Sequence, residues 1–220
     1  MIVAEQKPIQ EILAALPEVD NLLVAGCDTC VTVCMAGGDK EARVLCAAIR
    51  MSGKKIRNVE TVSIERQCDR EFLSELSDKV SRADVVLSMA CGAGVQMLSD
   101  FFPATIVQPA LNTLFMGSTE EAGYWLERCL GCGDCSLELT AGICPKTRCS
   151  KGLMNGPCGG SVGGKCEVDP KSLDCGWDLI YKRLKSLGRI ERLMDIQPPR
   201  NWSRAHDGRP RSVIRKDVRL

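Results

Sequence analysis

The sequence predicts a small α/β domain with a doubly wound parallel sheet, followed by a Cys-rich domain with little regular structure and a carboxyl-terminal helix. Two observations predict this order. Short apolar runs alternate with amphipathic stretches over the first half of the 220 residues, and eight of the 14 Cys fall in residues 129–175 together with nine Gly. The first pattern is typical of βαβ units. The second is typical of a segment that needs cross-links or metal ions because it cannot build an ordinary core.

The elements of the first domain follow from apolar periodicity. Residues 1–20 are predicted to form an amphipathic helix that ends near Pro17. The elements after it are a strand at 21–26, a helix at 39–55, a strand at 56–64, a helix at 68–83, a strand at 84–90, a short helix at 91–102 and a strand at 104–112. This order predicts a flavodoxin- or Rossmann-like domain, which we place at residues 1–115. Its ligands are expected beyond the carboxyl ends of the strands.

The second half of the chain is divided by composition. Residues 116–190 are predicted to form a Cys-rich, ferredoxin-like iron–sulfur domain. A helix at 118–127 is expected to link it to the first domain, and a helix at 177–188 is expected to lie at its end. Residues 191–220 form a basic tail, and residues 182–220 hold 12 Lys and Arg against 4 Asp and Glu, although the whole chain has a net charge of only +1. Such a tail either lies along an acidic partner surface or stays solvated. Its candidate docking residues are Arg200, Trp202, Arg204, Arg209, Arg211 and Arg215.

Composition excludes several functional classes. His206 is the only His, which argues against zinc fingers with paired His, Cys–His proteases and His-rich catalytic zinc sites. Aromatic residues make up 4% of the chain, which is too few for a single-stranded nucleic-acid platform. No glycine fingerprint for NAD or ATP is present. The first residues lack the basic region of a signal peptide, and no run of about 20 apolar residues predicts a membrane span. The expected compartment is therefore the cytoplasm, where dense Cys indicate metal or cluster ligation.

The carboxyl-terminal Cys array opens with the spacing C-x2-C-x2-C, which can wrap three corners of a cubane cluster. Its eight thiols are Cys129, Cys132, Cys135, Cys144, Cys149, Cys158, Cys166 and Cys175. Eight thiols suit two [4Fe-4S] clusters, and they equally suit two all-Cys zinc sites, although zinc ribbons usually present C-x2-C pairs. Free buried thiols are the remaining alternative.

Five further Cys in the first domain predict a possible third centre. Cys27, Cys30 and Cys34 have the spacing C-x2-C-x3-C, whereas Cys68 and Cys91 are single thiols in other loops. Any four of the five can hold a cluster. The preferred set is Cys27, Cys30, Cys34 and Cys91, because the first and the last follow strands, and Cys68 is the competing ligand. The alternative is that these Cys are small buried apolar residues.

Several sequence blocks resemble a known family. They are GICP (142–145), Cys149, NGPCGG (155–160), GKC (164–166), DCGW (174–177) and, upstream, GCDTCVTVCMAGG, ERQCD, MACGAGVQ and PALNTLF. From about residue 21 to residue 190 the chain resembles the small, MetV-type iron–sulfur or zinc subunit of acetogen-type methylenetetrahydrofolate reductases. That subunit contains the carboxyl-terminal domain of methylenetetrahydrofolate reductase.

The resemblance implies an accessory subunit of an oxidoreductase that is not catalytic alone. Its catalytic partner would carry FMN and reduce 5,10-methylenetetrahydrofolate to 5-methyltetrahydrofolate in the Wood–Ljungdahl pathway. This chain would pass electrons to that flavin from a ferredoxin or another electron-input protein. The alternative is a zinc-binding adaptor without a redox role, because some members of the family contain zinc. A third hypothesis, an independent Cys-based redox or sulfur-transfer enzyme, needs an accessible thiol of low pKa. No nucleic-acid partner is expected, because the body of the chain is acidic.

Overall fold

The computed structural model describes residues 1–205 and 210–218, so that His206 and Arg209 lie outside the described residues. The chain divides into two compact units, residues 1–126 and 127–220. The strands are β1 (Ile2–Gln6), β2 (Asn21–Cys27), β3 (Asn58–Ile64), β4 (Val85–Met89), β5 (Ile106–Pro109), β6 (Leu111–Glu121), β7 (Tyr124–Cys129), β8 (Lys165–Cys166) and β9 (Asp169–Asp174). The α-helices are α1 (Ile9–Ala15), α2 (Cys30–Val33), α3 (Asp39–Met51), α4 (Arg70–Leu73), α5 (Ser77–Val80), α6 (Gly92–Phe101), α7 (Pro145–Arg148) and α8 (Gly176–Ser186). Short 3-10 helices cover Ser74–Leu76, Ile190–Met194 and Trp202–Arg204.

The first unit is built around a four-stranded parallel sheet with the order β3-β2-β4-β5. Leu22 on β2 pairs with Val59 on β3 and with Val85 on β4, so β2 and β4 lie in the middle of the sheet. The predicted α/β class with a parallel sheet is confirmed. All carboxyl ends of these strands meet at one edge, where parallel sheets with crossover helices place their ligands.

The hydrophobic core of the first unit lies on both faces of this sheet, between the strands and the helices that cover them. On one face Val24 of β2 and Leu87 of β4 pack in a cluster that contains residues of α1, α2 and α3. On the other face the neighbouring residues Leu23 and Val86 pack with residues of α4, α5 and α6. Because both faces are covered, successive residues of the central strands are apolar rather than alternating, as is typical of parallel sheets.

The helix prediction at 1–20 is wrong for its first residues and the one at 118–127 is wrong throughout, because these residues belong to a second sheet with the order β1-β6-β7. Residues 2–6 form β1, which pairs antiparallel with β6, and α1 begins only at Ile9. The linking helix predicted at 118–127 is instead the hairpin of β6 and β7, with Gly123 at φ 86° in the turn. The burial of Val3 and Ala4 against the first core explains why β1 outweighs local helix propensity.

The second unit has a small core on α8, close to the helix predicted at 177–188. The core consists of Cys175, Trp177, Ile180 and Leu184. The indole Nε1 of Trp177 donates a hydrogen bond to the Leu153 carbonyl at 3.0 Å. In the described part of the second unit, regular structure besides α8 comprises the end of β7, α7, the β8–β9 pair and short 3-10 turns, so loops carry most of the Cys. Among the described residues, no helix has both the length and the apolar character needed to cross a membrane.

Candidate metal centres

The first candidate centre lies at the carboxyl edge of the parallel sheet. Cys27 is the last residue of β2, and Cys30 begins the short helix α2 that follows it. Cys91 lies two residues beyond β4 and precedes α6, and Cys68 lies in the loop after β3. Three neighbouring strands therefore deliver four Cys to one edge, because the strands are parallel and end together.

The thiols of Cys27, Cys30 and Cys91 act electrostatically on that of Cys68. Partial burial of its thiol is the largest cause that raises the pKa of Cys68, and the thiols of Cys91, Cys27 and Cys30 raise it further. Neighbouring thiolates repel one another, which is why each of them disfavours the charged form of Cys68. A bound cation removes this repulsion, so the arrangement suits a metal or cluster better than four free thiolates.

Cys34 is buried in the core next to β1. Its side chain is 5% exposed and belongs to the core cluster under α3. Its Sγ accepts a hydrogen bond from the backbone N–H of Ala4 at 3.4 Å. The structure thus brings Cys68, rather than Cys34, toward Cys27, Cys30 and Cys91. The C-x2-C-x3-C spacing contains no signal for this, because it does not show that β1 lies over Cys34.

Gln67 positions the Cys68 loop and was not singled out from the sequence. Its side chain is completely buried, and its Nε2 donates to the carbonyls of Ala25 at 2.8 Å and Gly26 at 2.9 Å. Its Oε1 accepts a hydrogen bond from Ser88 Oγ at 2.6 Å. Gln67 therefore ties the loop after β3 to the ends of β2 and β4. The only sequence signal is its place directly before Cys68.

Replacing Gln67 by Leu is expected to destabilise the first unit by about 2 kcal/mol, because buried hydrogen-bonding groups of Ala25, Gly26 and Ser88 lose a partner. Hydrogen exchange of the β2 and β4 amides measures this loss directly. Gln96→Leu is the matched control, since the Gln96 side chain only caps the exposed Gly92 carbonyl at 3.0 Å, and its effect is expected to stay within about 0.5 kcal/mol. Equal protection in both variants would contradict a positioning role for Gln67.

The second candidate centre begins at the C-x2-C-x2-C loop. Gly131, at φ 60°, turns the chain so that its N–H donates to Cys129 Sγ at 3.3 Å. Thr147 Oγ1 lies 3.4 Å from the Arg128 carbonyl and 3.5 Å from the Cys144 carbonyl, so α7 holds the backbone of Cys144 near that of Cys129. Amide hydrogen bonds to sulfur of this kind stabilise thiolates that bind clusters.

Cys132 lies in a positively charged environment within this loop. The Nη2 of Arg200 is 3.1 Å from Cys132 Sγ. Partial burial raises the pKa of the Cys132 thiol, but a backbone hydrogen bond with Asp134 and the cations of Lys146 and Arg200 outweigh it, so the pKa lies below its ordinary value. Cys135, which is exposed, lines an open cavity of about 630 Å³ together with Arg200. The loop thus presents one stabilised thiol and one accessible thiol.

The third candidate centre surrounds the β8–β9 pair. Cys158 Sγ lies 3.6 Å from Glu167 Oε1 and accepts a hydrogen bond from the Gly160 N–H at 3.5 Å. The hydrogen bond with Glu167 is the largest cause that raises the pKa of Lys151, and the thiols of Cys158 and Cys166 raise it further. Cys158 and Cys166 are therefore both close to the Lys151 ammonium.

Cys149 and Cys175 lie near Cys166 in the second unit. Cys166 Sγ is 3.7 Å from Ser150 Oγ, in the residue after Cys149. The N–H of Cys175 donates to the Gly164 carbonyl at 2.8 Å, two residues before Cys166. Cys149 and Cys175 also pack in the same small core. These contacts place Cys149, Cys166 and Cys175 around one loop region, next to Cys158.

The donor chemistry of these groups fits iron–sulfur clusters or zinc, because thiolate sulfur is the preferred ligand of both. Lys146 Nζ and Arg200 Nε are buried beside the Cys132 loop and have no hydrogen-bond partner within residues 1–205 and 210–218, which fits a negatively charged centre there. In residues 1–205 and 210–218, no three side chains of His, Cys, Asp or Glu converge tightly enough to hold a metal ion as they stand. The thiols are thus grouped by the backbone without being arranged as a finished coordination shell.

The tail residues singled out from the sequence lie in different surroundings. Arg200 contacts Cys132 Sγ directly, and Trp202 lies beside Lys146, whose Nζ is 4.0 Å from the Trp202 ring centroid. Arg211 donates to the Gly131 carbonyl at 2.6 Å, and the exposed Arg215 pairs with Asp217. This part of the tail lies along the Cys loops of its own unit rather than extending freely. Arg209 lies outside the described residues, and nothing is described of the Arg204 side chain.

Comparison with known proteins adds one finding. Residues 108–203 match the family model described as methylene-tetrahydrofolate reductase C terminal. This segment is similar to the carboxyl-terminal region of methylenetetrahydrofolate reductase. The match covers a little under half of the chain and includes all eight Cys of the carboxyl-terminal array. No curated protein and no solved structure matches the chain.

Proposed function

We propose that this chain is the electron-transferring accessory subunit of a methylenetetrahydrofolate reductase. The observation that carries the proposal is the match at residues 108–203, because the matched segment contains both carboxyl-terminal groups of thiols. A Cys-rich segment related to this reductase is explained if its thiols hold centres that transfer electrons within the enzyme. The finer assignment to the MetV type rests on the resemblance of the upstream blocks such as ERQCD and MACGAGVQ.

The thiols fall into three quartets under this proposal. The first is Cys27, Cys30, Cys68 and Cys91, the second is Cys129, Cys132, Cys135 and Cys144, and the third is Cys149, Cys158, Cys166 and Cys175. Support for the second quartet comes from the Thr147 contacts, which hold the backbone of Cys144 near that of Cys129. A [4Fe-4S] cluster in each quartet would supply one-electron transfer.

The electron balance of the reaction defines the partners. Conversion of 5,10-methylenetetrahydrofolate to 5-methyltetrahydrofolate consumes two electrons and two protons. The chain delivers the electrons one at a time to the FMN of the catalytic subunit, and a ferredoxin or another electron-input protein supplies them. The exposed residues Cys129, Cys135 and Cys158 leave these groups accessible to partner proteins. The carbon chemistry takes place in the catalytic subunit, in this proposal within the Wood–Ljungdahl pathway.

Metal and sulfide analysis of the full chain, purified without oxygen, tests the proposal. We expect about 12 iron atoms per chain and an equal amount of acid-labile sulfide if three [4Fe-4S] clusters are bound. Dithionite is expected to bleach the visible absorption and to produce electron paramagnetic resonance signals of reduced clusters. The reduced chain is then expected to reduce the FMN of the catalytic subunit in a stoichiometric, anaerobic mixture.

Zinc without iron or sulfide, in a colourless and redox-inactive chain, would contradict the electron-transfer role. The chain would then be an adaptor whose folding depends on zinc, and chelators would unfold it. Iron and sulfide in two quartets with zinc in the third would limit electron transfer to the iron-containing quartets. Clusters that are reduced by dithionite but never reduce the FMN would also contradict the proposed electron route.

A further inference from the structure

The Arg200 side chain is buried against the Cys132 loop although most Arg side chains lie in solvent. It is only 8% exposed. Its Nη2 contacts Cys132 Sγ and the Asp134 carbonyl, and the Asp134 carboxylate is 3.8 Å away. Among the described residues, no group accepts a hydrogen bond from its buried Nε. A buried guanidinium is costly unless negative charge and acceptors surround it, so one thiol, one carbonyl and one distant carboxylate leave it incompletely compensated.

A second cation in the same place is also incompletely compensated. In the part of the chain that the structure describes, the buried Lys146 Nζ has no hydrogen-bond partner, and it lies 4.0 Å from the ring centroid of Trp202. The ring of Trp202 also faces Arg200, whose guanidinium carbon is 5.9 Å from the ring centroid. Two cations that share one aromatic ring repel each other. Both are therefore better accounted for by an anionic centre at Cys132 than by packing alone.

We propose that Arg200 sets the reduction potential of the centre held by Cys132, by donating a hydrogen bond to its sulfur. This inference rests on the proposed function. Each added electron makes a cluster with four thiolate ligands more negative, and a fixed guanidinium at its sulfur favours the reduced form. Lys146 adds to the same field, and Trp202 holds both cations in place. Arg200 is a positioning residue, because it acts on the cluster through Cys132.

The test compares Arg200→Gln, which removes the charge, with Arg200→Lys, which keeps the charge. Both are made in the full chain, purified without oxygen, and iron and sulfide are measured first. Redox titration followed by electron paramagnetic resonance then gives the potentials of the centres. In Arg200→Gln we expect one centre to become at least tenfold harder to reduce, which corresponds to about 59 mV for a one-electron couple. Arg200→Lys is expected to retain most of the wild-type potential, and the other centres are expected not to shift.

Arg215→Gln is the control, because it removes the same charge from an exposed residue that pairs with Asp217. Unchanged potentials in Arg200→Gln, with full iron content, would overturn the inference and leave the proposed function intact. Equal shifts in Arg200→Gln and Arg215→Gln would also overturn it, because the effect would then be one of net charge. If Arg200→Gln loses the centre, the potential of Arg200→Lys relative to the wild type becomes the deciding measurement. A full tenfold shift in Arg200→Lys, which keeps the charge, would count against the role of charge. A wild-type chain without iron would overturn the proposed function together with this inference.

Discussion

Cys132→Ser is expected to lose about four iron atoms and four sulfides per chain, because a [4Fe-4S] cluster that loses one of its four thiolates is no longer held. The same change is expected to loosen residues 129–175. Among the described residues of the second unit, the hydrophobic core cluster has four buried members on and next to α8, so bound metal is expected to contribute a large part of the folding free energy. Iron and sulfide analysis and limited proteolysis of the full chain measure the two effects.

Cys46→Ala is the matched control for this variant. Cys46 is 3% exposed, and its Sγ contacts only the Val59 carbonyl, at 3.4 Å, in the core of the first unit. We expect Cys46→Ala to keep its full iron content and to lose about 1 kcal/mol of stability. Full iron content in Cys132→Ser would exclude Cys132 as a ligand and would remove the basis of the second quartet.

Cys68→Ser and Cys34→Ala form a second decisive pair, because the spacing of the sequence and the geometry of the structure favour different ligands. Cys68 lies among the thiols of Cys27, Cys30 and Cys91, so its loss is expected to remove about four iron atoms from the first unit. Cys34→Ala is expected to keep all iron, because Cys34 is buried against Ala4 in the core. Iron analysis with Mössbauer or electron paramagnetic resonance spectroscopy measures both variants.

The loss of folding stability is expected to be larger in Cys34→Ala than in Cys68→Ser, which is the opposite of the order expected for the loss of iron. Cys34→Ala removes a buried sulfur from the core and is expected to cost about 1 kcal/mol in the free energy of unfolding. Cys68→Ser changes an exposed residue and is expected to have little effect on the same fold once the centre is absent. Loss of iron in Cys34→Ala with full iron in Cys68→Ser would reverse the assignment in favour of the spacing-based set.

The sequence indicated most of the first unit because its signals are local. The apolar runs at 21–26 and 84–90 correspond to β2 and β4, and the amphipathic stretch at 39–55 contains α3. Their periodicity reflects which face each element buries, and this is encoded residue by residue. The helix predicted at 118–127 was wrong in full, because its residues form the local hairpin of β6 and β7. The helix predicted at 1–20 was wrong in part, because β1 pairs with β6, whose residues are more than 100 positions further along the chain. Pairing at that separation leaves no local signal.

The same division holds for the candidate site. The spacing of Cys129, Cys132 and Cys135 is enough to predict a cluster-binding loop from the sequence alone, because three thiols so close in sequence are necessarily close in space. The choice between Cys34 and Cys68 could not be made in this way. It depends on β1 covering one side of α2 and on Gln67 holding the loop after β3, and both are contacts between distant segments.

The sequence by itself determined the class of this protein: a parallel α/β sheet followed by a Cys-rich unit whose thiols bind metal or clusters in our proposal. The tertiary structure alone decided which thiols are neighbours and which charges face them. Arg200 is 68 residues from Cys132 along the chain and yet 3.1 Å from its sulfur. Ligand identity is a matter of residue type and short spacing, whereas grouping and electrostatics depend on distances that only the folded chain sets.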